Sequence, residues 1–265
     1  MNILLEDYRS IGPRPSAKRD AREEFFIVEG PRIIRRLIAC GYSVRSIVVQ
    51  RGKPRDPLGE VPNSIPFIEQ TRDEIGELVG FDFHRGYLAS AHRKPLKSVM
   101  DLEPDPLMLG LVGVTDMENM GSLIRSAAAF GVRQVVLDRA SVDPLGRRVC
   151  RVSMGASLAM SYGLMDSPVD TLIQLHERGI DSLAATPHGD ASLVENVSSL
   201  TKPSLLLLGN ESDGLPQPVL QTASKQVRIP MPGRASHEIV DSLNVAVAGA
   251  ILMHAMCRSL DRPRK

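Results

Sequence analysis

Three parts of the sequence combine residue types from which a reactive site can be built. They are Asn119–Arg125, Gly209–Leu215, and Arg228–Met231 taken together with Ser242–Val245. Each part lies at the end of a predicted strand. Because ligands of open α/β sheets bind at the carboxyl ends of the strands, we expect these parts to meet in space.

Glycine and proline set the backbone of two of these segments. Gly209 and Gly214 let the main chain approach a ligand without a Cβ atom in between. Pro230 fixes φ and removes a hydrogen-bond donor directly after a strand. The fingerprint GxGxxG is absent from the sequence, so an ordinary Rossmann pocket has no support. We predict a ligand held by main-chain groups, although Gly209–Leu215 taken alone also fits a plain strand-to-helix turn.

Arg125 is the candidate reactive side chain of the first segment. It follows Asn119 by six residues and lies in a helix predicted over Gly121–Phe130. A guanidinium is effectively always protonated, so Arg125 is a poor base. A fork of donors that binds a phosphate and stabilises negative charge developing on an oxygen is the easier role. The alternative is an exposed arginine that makes a surface ion pair.

The residues from 107 onward alternate between apolar strands and helices, which predicts an α/β fold with a mostly parallel sheet covered on both faces. The predicted strands are Leu107–Thr115, Gln134–Asp138, Ile180–Ala185, Pro203–Leu208 and Gln226–Ile229. The predicted helices are Gly121–Phe130, Ser153–Met160, Val169–Arg178, Pro216–Ala223 and Ser242–Leu260.

A smaller α/β domain is predicted over residues 1–94, with a Pro-containing linker over 95–106 and the second domain over 107–265. The first ~20 residues are expected to form a mobile or loosely packed arm. Pro31 opens a helix, and Thr71 with Glu74 forms a capping box that opens another. The predicted strands are Phe25–Gly30, Val44–Gln50, Ile65–Ile68 and Gly86–Ala91.

The net charge of +1 hides an asymmetry along the chain. Residues 1–55 hold 12 Lys or Arg and 6 Asp or Glu, whereas the other 210 residues hold 20 and 25. Such a basic region suits a phosphate-bearing partner, although chance clustering on a solvated surface is the alternative. The candidate contacts with nucleic-acid phosphates are Arg14, Lys18, Arg19, Arg32, Arg35 and Arg36.

Several function classes have no support. The cysteines Cys40, Cys150 and Cys257 are far apart, so neither a zinc site nor a disulfide framework is expected, and a reducing cytoplasm is the predicted compartment. The histidines lack metal-binding spacing, and no nucleophile elbow is present, which leaves a hydrolase unsupported. We find neither a signal peptide nor an apolar run long enough to span a bilayer.

In this order the three parts resemble motifs 1, 2 and 3 of the SpoU (TrmH-type) RNA 2′-O-ribose methyltransferases, a branch of the SPOUT superfamily. The resemblance covers residues 107–258. It implies a C-terminal trefoil-knot domain that holds a bent S-adenosylmethionine (AdoMet) in the loops of motifs 2 and 3. The stretch Phe26–Pro31 also resembles the N-terminal substrate-binding domain of this family, which is similar to the RNA-binding fold of ribosomal protein L30e.

The resemblance also implies roles for individual residues. Arg125 would activate the ribose hydroxyl, and Asn119 and Glu211 would either hold the loops together by hydrogen bonds or orient the substrate. Ser242 and Asn244 would face the active site, with Asn244 near the arginine and contributed by a partner subunit, although a helix N-cap is the ordinary explanation for Ser242. The implied cofactor-binding residues are Thr186, Gly209, Gly214, Ile229, Met231 and Leu243.

One departure from the family is the ten-residue stretch Pro232–Asp241, which is longer than the corresponding loop of the family. Lengthening a surface loop costs little free energy, so the flanking elements can stay in place. His237 in this stretch is either a catalytic helper or a solvent-exposed side chain.

Taken together, the sequence predicts an AdoMet-dependent enzyme that acts on RNA, with ribosomal RNA the first choice and tRNA the second. A homodimer is expected, because the helix Ser242–Leu260 is apolar and carries small residues that permit close packing: Ala246, Ala248, Gly249 and Ala250. The alternatives are a non-catalytic RNA-binding or ribosome-assembly protein on the same fold, and a small-molecule α/β enzyme.

Overall fold

A computed structural model describes residues 3–9, 11, 24–187, 191–196, 200–231 and 242–258. The helices are α1 (Pro31–Ala39), α2 (Arg72–Val79), α3 (Met117–Ala129), α4 (Arg147–Val152), α5 (Pro168–Glu177), α6 (Gln217–Thr222) and α7 (Val245–Cys257). The strands are β1 (Phe25–Glu29), β2 (Val44–Gln50), β3 (Phe67–Gln70), β4 (Tyr87–His92), β5 (Lys97–Ser98), β6 (Leu107–Leu111), β7 (Gln134–Asp138), β8 (Ser161–Met165), β9 (Asp181–Ala185), β10 (Ser192–Leu193), β11 (Ser204–Leu208) and β12 (Lys225–Arg228).

The chain divides into two units. The first holds the described residues up to Pro95 together with Asp143–Ala159, and the second holds Leu96–Val142 and the residues from Met160 onward. This division differs from the predicted domain boundaries, because Asp143–Ala159 belongs to the first unit. The predicted linker also carries β5, which pairs with β8 in the sheet of the second unit.

The first unit is built on a four-stranded sheet in the order β1-β4-β2-β3. Strand β4 is antiparallel to both of its neighbours, and β2 and β3 are parallel. Pro31 occupies the first turn of α1, and the capping box of Thr71 and Glu74 opens α2, as the sequence predicts. The likeness of this unit to L30e stays a prediction.

The start of the chain is packed, in contrast to the predicted mobile arm. Residues Ile3–Tyr8 form a 3-10 helix, and Tyr8 is fully buried against the apolar core of the first unit. The Tyr8 hydroxyl donates to the backbone oxygen of Ser46 at 2.8 Å and accepts from the backbone N–H of Ser90 at 3.0 Å. Burial raises the pKa of this hydroxyl, which keeps it protonated as a donor. The rest of the predicted arm lies outside the described residues, apart from Arg9 and Ile11.

Replacing Tyr8 with phenylalanine is expected to lower the free energy of unfolding by about 1–3 kcal/mol, because buried partners then lose their hydrogen bond. Chemical denaturation measures this change. Tyr42→Phe is the control, since the Tyr42 ring is also buried and its hydroxyl makes no hydrogen bond with any described residue. An equal loss of stability in both variants would contradict the proposed role of the Tyr8 hydroxyl.

The second unit is built on an eight-stranded sheet in the order β10-β12-β9-β11-β6-β7-β8-β5. All neighbouring strands in it are parallel. Strand β11 lies between β9 and β6, and all five of its residues are buried. The predicted α/β fold with a mostly parallel sheet is confirmed, and the trefoil knot stays a prediction.

Helix α7 begins at Val245, three residues after the predicted start Ser242, and two other predictions differ more from the structure. Helix α3 begins at Met117, four residues before the predicted start, since the Asp116 side chain caps it by accepting from the backbone N–H groups of Glu118 and Asn119. The predicted helix Ser153–Met160 is wrong. Helix α4 ends before it, and Met154 and Gly155 both have positive φ (57° and 81°), which breaks the helical path before a short 3-10 turn.

Candidate functional site

A cavity of about 220 Å³ lies in the second unit, at the carboxyl ends of β9, β11 and β12. These strands are neighbours in the parallel sheet, so the segments that follow them meet at one edge. The lining comes from Ala185–Pro187, Leu208–Leu215, Ile229 and Met231, together with Leu220 of α6, with Ser242 and Leu243 before α7, and with Val245, Ala248 and Leu252 of α7. The predicted meeting of the segments Gly209–Leu215, Arg228–Met231 and Ser242–Val245 is therefore observed.

The predicted cofactor-binding residues lie together in this cavity. All six of them contribute to its lining: Thr186, Gly209, Gly214, Ile229, Met231 and Leu243. Glu211 and Ser242, which we placed among the candidate catalytic residues, also line the cavity. Asn119, Asn244 and Arg125 do not line it. Their roles therefore depend on contacts outside the cavity wall.

The loop after β11 is closed by its own hydrogen bonds. The backbone groups of Asn210 and Gly214 exchange two hydrogen bonds of 3.0 Å each. The Asn210 side-chain oxygen accepts from the backbone N–H groups of Ser212 and Asp213 at 2.8 and 3.2 Å, and its amide donates to the Gly113 carbonyl at 2.8 Å. The loop is thus preformed and tied to the end of β6.

Gly209 is required by this closure. A Cβ atom at Gly209 would lie 2.2–2.3 Å from the backbone of Gly214 and Leu215, a distance that no real contact allows. Gly214 differs, because its φ is +69° and no atom lies within 4 Å of the Cβ position. The two glycines serve one loop for separate reasons, which are close backbone approach and left-handed conformation.

A chain of side-chain hydrogen bonds joins the three motif segments. The Asn244 oxygen caps α7 by accepting from the backbone N–H groups of Ala246 and Val247 at 2.9 and 3.3 Å. Its amide nitrogen must then donate, and it does so to the Asn119 oxygen at 3.0 Å. The Asn119 nitrogen in turn donates to the carboxylate of Glu211 at 3.2 Å. The Glu211 carboxylate can only accept, so the Asn119 nitrogen must face it and the Asn119 oxygen must face Asn244. The orientation of both amides is therefore determined.

Glu211 is the acceptor on which this chain ends. Its carboxylate also accepts from the backbone N–H groups of Thr115 and Asp116 at 3.3 and 3.2 Å. The loop after β11 is therefore held to the start of α3. This geometry favours loop-holding roles for Asn119 and Glu211, and a catalytic role for either stays a prediction. The N-cap of α7 is Asn244, so the N-cap explanation of Ser242 is wrong.

Arg125 lies on the exposed face of α3. Its side chain makes no hydrogen bond or ion pair with any residue that the structure describes. No described carboxylate therefore neutralises its charge, so the guanidinium is available to an anionic group from outside the chain. Its position relative to Asn244 of a partner subunit stays a prediction.

The comparisons with known proteins identify the family. The SpoU rRNA Methylase family matches residues 106–254. A tRNA/rRNA methyltransferase of Mycobacterium tuberculosis, itself uncharacterised, is 34% identical over 264 residues, which is 96% of this chain and 88% of that protein. The chain belongs to the SpoU rRNA methylase family. The prediction of a SpoU-type RNA methyltransferase is confirmed.

Two further methyltransferases extend the comparison. The 23S rRNA (guanosine-2′-O-)-methyltransferase RlmB of Ralstonia nicotianae is 28% identical over 73% of this chain and 77% of its own length. The crystal structure of the SpoU methyltransferase AviRb from Streptomyces viridochromogenes, in complex with the cofactor AdoMet, matches with a TM-score of 0.80 at 24% identity. That match covers 98% of this chain and 99% of AviRb, and it shows a shared fold.

Sequence reasoning missed the apolar wall of this SpoU cavity. The missed residues are Leu208, Leu220, Ala248 and Leu252, which adjoin Val245 of the predicted segment Ser242–Val245. Val245, Ala248 and Leu252 follow one another at three- and four-residue spacing, which places them on one face of α7. That spacing is readable from the sequence, but we interpreted the small residues of this helix as a surface for a partner subunit.

Gly249 corrects the same interpretation. It is buried, and a Cβ atom there would lie 2.4 Å from Leu123 of α3 and 2.7 Å from Leu208 of β11. The small residue thus permits close packing within the chain. Ala248 lines the cavity, so two of the four predicted interface residues have roles inside the SpoU domain.

The predicted phosphate contacts fall into two groups. Arg32, Arg35 and Arg36 are exposed on one face of α1, at three- and four-residue spacing. Arg36 also donates a hydrogen bond to the Met154 carbonyl. The other group, Arg14, Lys18 and Arg19, lies outside the described residues, as does the stretch Pro232–Asp241 with His237.

Two features are absent from the described residues, a membrane-spanning helix and a metal-binding cluster. Over residues 3–9, 11, 24–187, 191–196, 200–231 and 242–258, no helix is long and apolar enough to cross a bilayer. The same part of the chain holds no group of three or more His, Cys, Asp or Glu side chains that could bind a metal ion.

Proposed function

We propose that this SpoU protein transfers a methyl group from AdoMet to a ribose 2′-hydroxyl of RNA, with ribosomal RNA the first choice of substrate and tRNA the second. One observation carries the proposal. The segments after β9, β11 and β12 line a single cavity that includes all six residues assigned to the cofactor by family resemblance. Family membership and the 2′-O-methyltransferase activity of the relative RlmB support the same reaction.

The chemistry of the cavity wall fits AdoMet. Leu220, Val245 and Leu252 provide an apolar side suited to the adenine ring, and Glu211 and Asp213 bring carboxylates whose charge is opposite to that of a sulfonium. By match with the family, the backbone groups of Gly209, Ile229 and Leu243 would hold the cofactor. AdoMet supplies an electrophilic methyl group when it is bound.

Arg125 is assigned to the ribose hydroxyl. The attacking 2′-oxygen gains negative charge as its proton leaves, and a guanidinium stabilises that charge with donors in a fixed planar fork. Arg125 stays protonated throughout, so another group or water must accept the proton. Asn119, Glu211 and Asn244 then act as positioning residues, since their hydrogen bonds tie the start of α3 to the loop after β11 and the start of α7.

The choice of ribosomal RNA depends on the first unit. An L30e-like unit suits a large structured RNA, because proteins recognise RNA mainly by shape and by splayed loops. The Mycobacterium tuberculosis relative is described as a tRNA/rRNA methyltransferase, which keeps tRNA as the second choice. A 2′-hydroxyl acceptor means that DNA of the same sequence should not be methylated.

The test supplies labelled AdoMet with separated ribosomal RNA and tRNA, and then maps the modified ribose by primer-extension stops at low nucleotide concentration. We expect label in one RNA class, at one ribose, and none in a DNA copy. Calorimetry with AdoMet alone gives an independent readout. Absence of both AdoMet binding and transfer would overturn the proposal, and AdoMet binding without transfer to either RNA class would overturn the choice of substrate.

We also propose a homodimer formed through α7. Leu243, Val247 and Ile251 follow one another at four-residue spacing and are 37%, 50% and 39% exposed. Val247 and Ile251 lie on one face of α7, and Leu243 lies two residues before its first residue. Exposed large aliphatic side chains this close together are costly to leave in water, and they mark an interaction surface. A second copy of this chain is the occupant expected from the family.

Replacing Val247 with lysine is expected to convert the dimer to a monomer, because an ammonium group buried in an apolar interface loses its hydration. Light scattering coupled to size-exclusion chromatography measures the mass. Ile173→Lys is the matched control, because Ile173 is 47% exposed on α5 of the same unit and should leave the mass unchanged. A Val247→Lys protein that remains dimeric would remove α7 from the interface.

We place the protein in the cytoplasm, where bacterial ribosomal RNA is modified. None of its three cysteines, all within the described residues, forms a disulfide, in keeping with a reducing compartment. Burial raises the pKa of the Cys150 thiol to about 12, so this side chain is an unreactive core residue and not a nucleophile.

A further inference from the structure

A buried carboxylate in the first unit is surrounded by three arginines. Glu29, at the end of β1, is only 2% exposed. Its two oxygens lie 2.5 Å from Arg147, 2.8 Å from Arg151 and 3.3 Å from Arg85. The three arginines remain partly open to solvent, with 20%, 34% and 53% of their side chains exposed. We call Arg85, Arg147 and Arg151 the arginine cluster.

The arginine cluster holds more positive charge than Glu29 can neutralise. Guanidinium groups do not lose their protons in proteins, so three positive charges face one negative charge. Each guanidinium has five N–H donors, and the contacts with Glu29 use only a few of them. The remaining donors belong to side chains that reach solvent. The cluster therefore has excess positive charge, and it has N–H donors that no described residue accepts from, next to the buried Glu29 carboxylate.

The cluster depends on a segment that is distant in sequence. Arg147 and Arg151 are four residues apart on α4, so they project from the same side of that helix. Their helix packs on β1, and its carboxyl end is held by Arg36 of α1, which donates to the Met154 carbonyl. The carbon stem of Arg36 lies over Gly155, where a Cβ atom would be 3.2 Å away. The cluster thus adjoins the basic face of α1.

The ionic contact that holds α4 against β1 does not require three arginines. One well-placed arginine would satisfy the Glu29 carboxylate, and apolar residues often replace buried ion pairs without loss of stability. A set of planar forks held at fixed positions is instead the arrangement that binds phosphate groups. Fixed forks also lose less side-chain entropy on binding than free arginines do.

We propose that the arginine cluster is a phosphate-binding site for the RNA backbone, in which Glu29 positions the guanidinium groups. This proposal rests on the function proposed above and adds to it the residues that hold the substrate on the first unit. Contacts with phosphates carry no sequence information, so the cluster contributes affinity and orientation and does not select the nucleotide.

The test is the salt dependence of binding to protein-free 23S rRNA. Arg85→Ala is the first variant, because Arg85 is the most exposed of the three and lies farthest from Glu29. We expect weaker binding and a slope of log K against log salt concentration that is shallower by about one, as for the loss of one phosphate contact. The double variant Arg85→Ala/Arg151→Ala should lower the slope by about two.

Two controls separate charge from folding. Arg85→Lys keeps the charge and should keep the slope, and Arg133→Ala removes one exposed arginine from the second unit and should also keep it. AdoMet affinity and the thermal midpoint of Arg85→Ala should equal those of the unaltered protein. If the double variant unfolds, the salt slope of Arg85→Ala alone tests the proposal.

The outcomes for this proposal and for the proposed function are distinct. An unchanged salt slope in Arg85→Ala, together with methyl transfer by the unaltered protein, overturns the role of the cluster and leaves the methyltransferase intact. Failure of the unaltered protein to bind or methylate any RNA overturns the proposed function and the cluster with it.

Discussion

Replacing Arg125 with alanine is expected to lower the rate of methyl transfer by about 10²–10³ and to leave the affinity for AdoMet unchanged. The rate should fall because removal of one preorganised donor from a developing oxyanion typically has an effect of this size. Affinity should hold because Arg125 is not part of the cavity wall and bonds to no described residue. Single-turnover transfer from labelled AdoMet to ribosomal RNA, with calorimetry for AdoMet, measures both quantities.

Arg125→Lys is the informative companion to this variant. It keeps the positive charge but loses the planar fork, so its rate should fall between those of the alanine variant and the unaltered protein. Arg133→Ala, another exposed arginine of the second unit, should transfer at the normal rate. Equal rates for Arg125→Ala and the unaltered protein would remove Arg125 from the mechanism, and loss of AdoMet binding would give it a structural role instead.

The parts of the fold predicted from sequence are those with local signals. Strands β2 and β7 have the predicted bounds, since each is a run of mainly apolar, β-branched residues between turn-forming residues. The capping box of α2 is contained in four successive residues. The site followed from the same kind of signal, because apolar runs that end in glycine or proline predict strand ends, and parallel strand ends meet.

The parts that were missed depend on partners far along the chain. Helix α4 packs with the first unit because Arg147 and Arg151 reach Glu29, which lies 118 and 122 residues earlier. The sequence around α4 and the sequence around Glu29 contain no local pattern that indicates this contact. Tyr8 is ordered by bonds to Ser46 and Ser90 in the same way. Strands β5 and β10, of two residues each, are too short for any periodic signal.

The site shows the same limit at the level of single side chains. Asn244 and Asn119 are 125 residues apart, and their hydrogen bond gives the two amides one orientation each. Residue types alone leave Asn119 either holding a loop or orienting a substrate, because both roles use the same donor and acceptor. The three-dimensional partners favour the first role.

Gly209→Ala is expected to weaken AdoMet binding by about one to two orders of magnitude. The added methyl group would lie 2.2–2.3 Å from three backbone atoms of Gly214 and Leu215, so the loop itself must move. Overpacking of this kind typically costs about 1–3 kcal/mol, and each 1.4 kcal/mol that the cofactor must overcome to restore the loop is about a factor of ten in affinity. Calorimetry with AdoMet measures the loss.

Gly214→Asn in the same loop distinguishes crowding from conformation. Gly214 has φ +69° and open space around its Cβ position, and asparagine adopts the left-handed conformation more readily than most residues. We therefore expect this larger substitution to bind AdoMet more tightly than Gly209→Ala does. If Gly209→Ala instead binds AdoMet more tightly than Gly214→Asn, the loop can rearrange around the added methyl group. The closure of the loop by Asn210 and Gly214 would then not shape the cofactor site. A rigid loop and a loop that can rearrange thus predict opposite orders of AdoMet affinity for Gly209→Ala and Gly214→Asn.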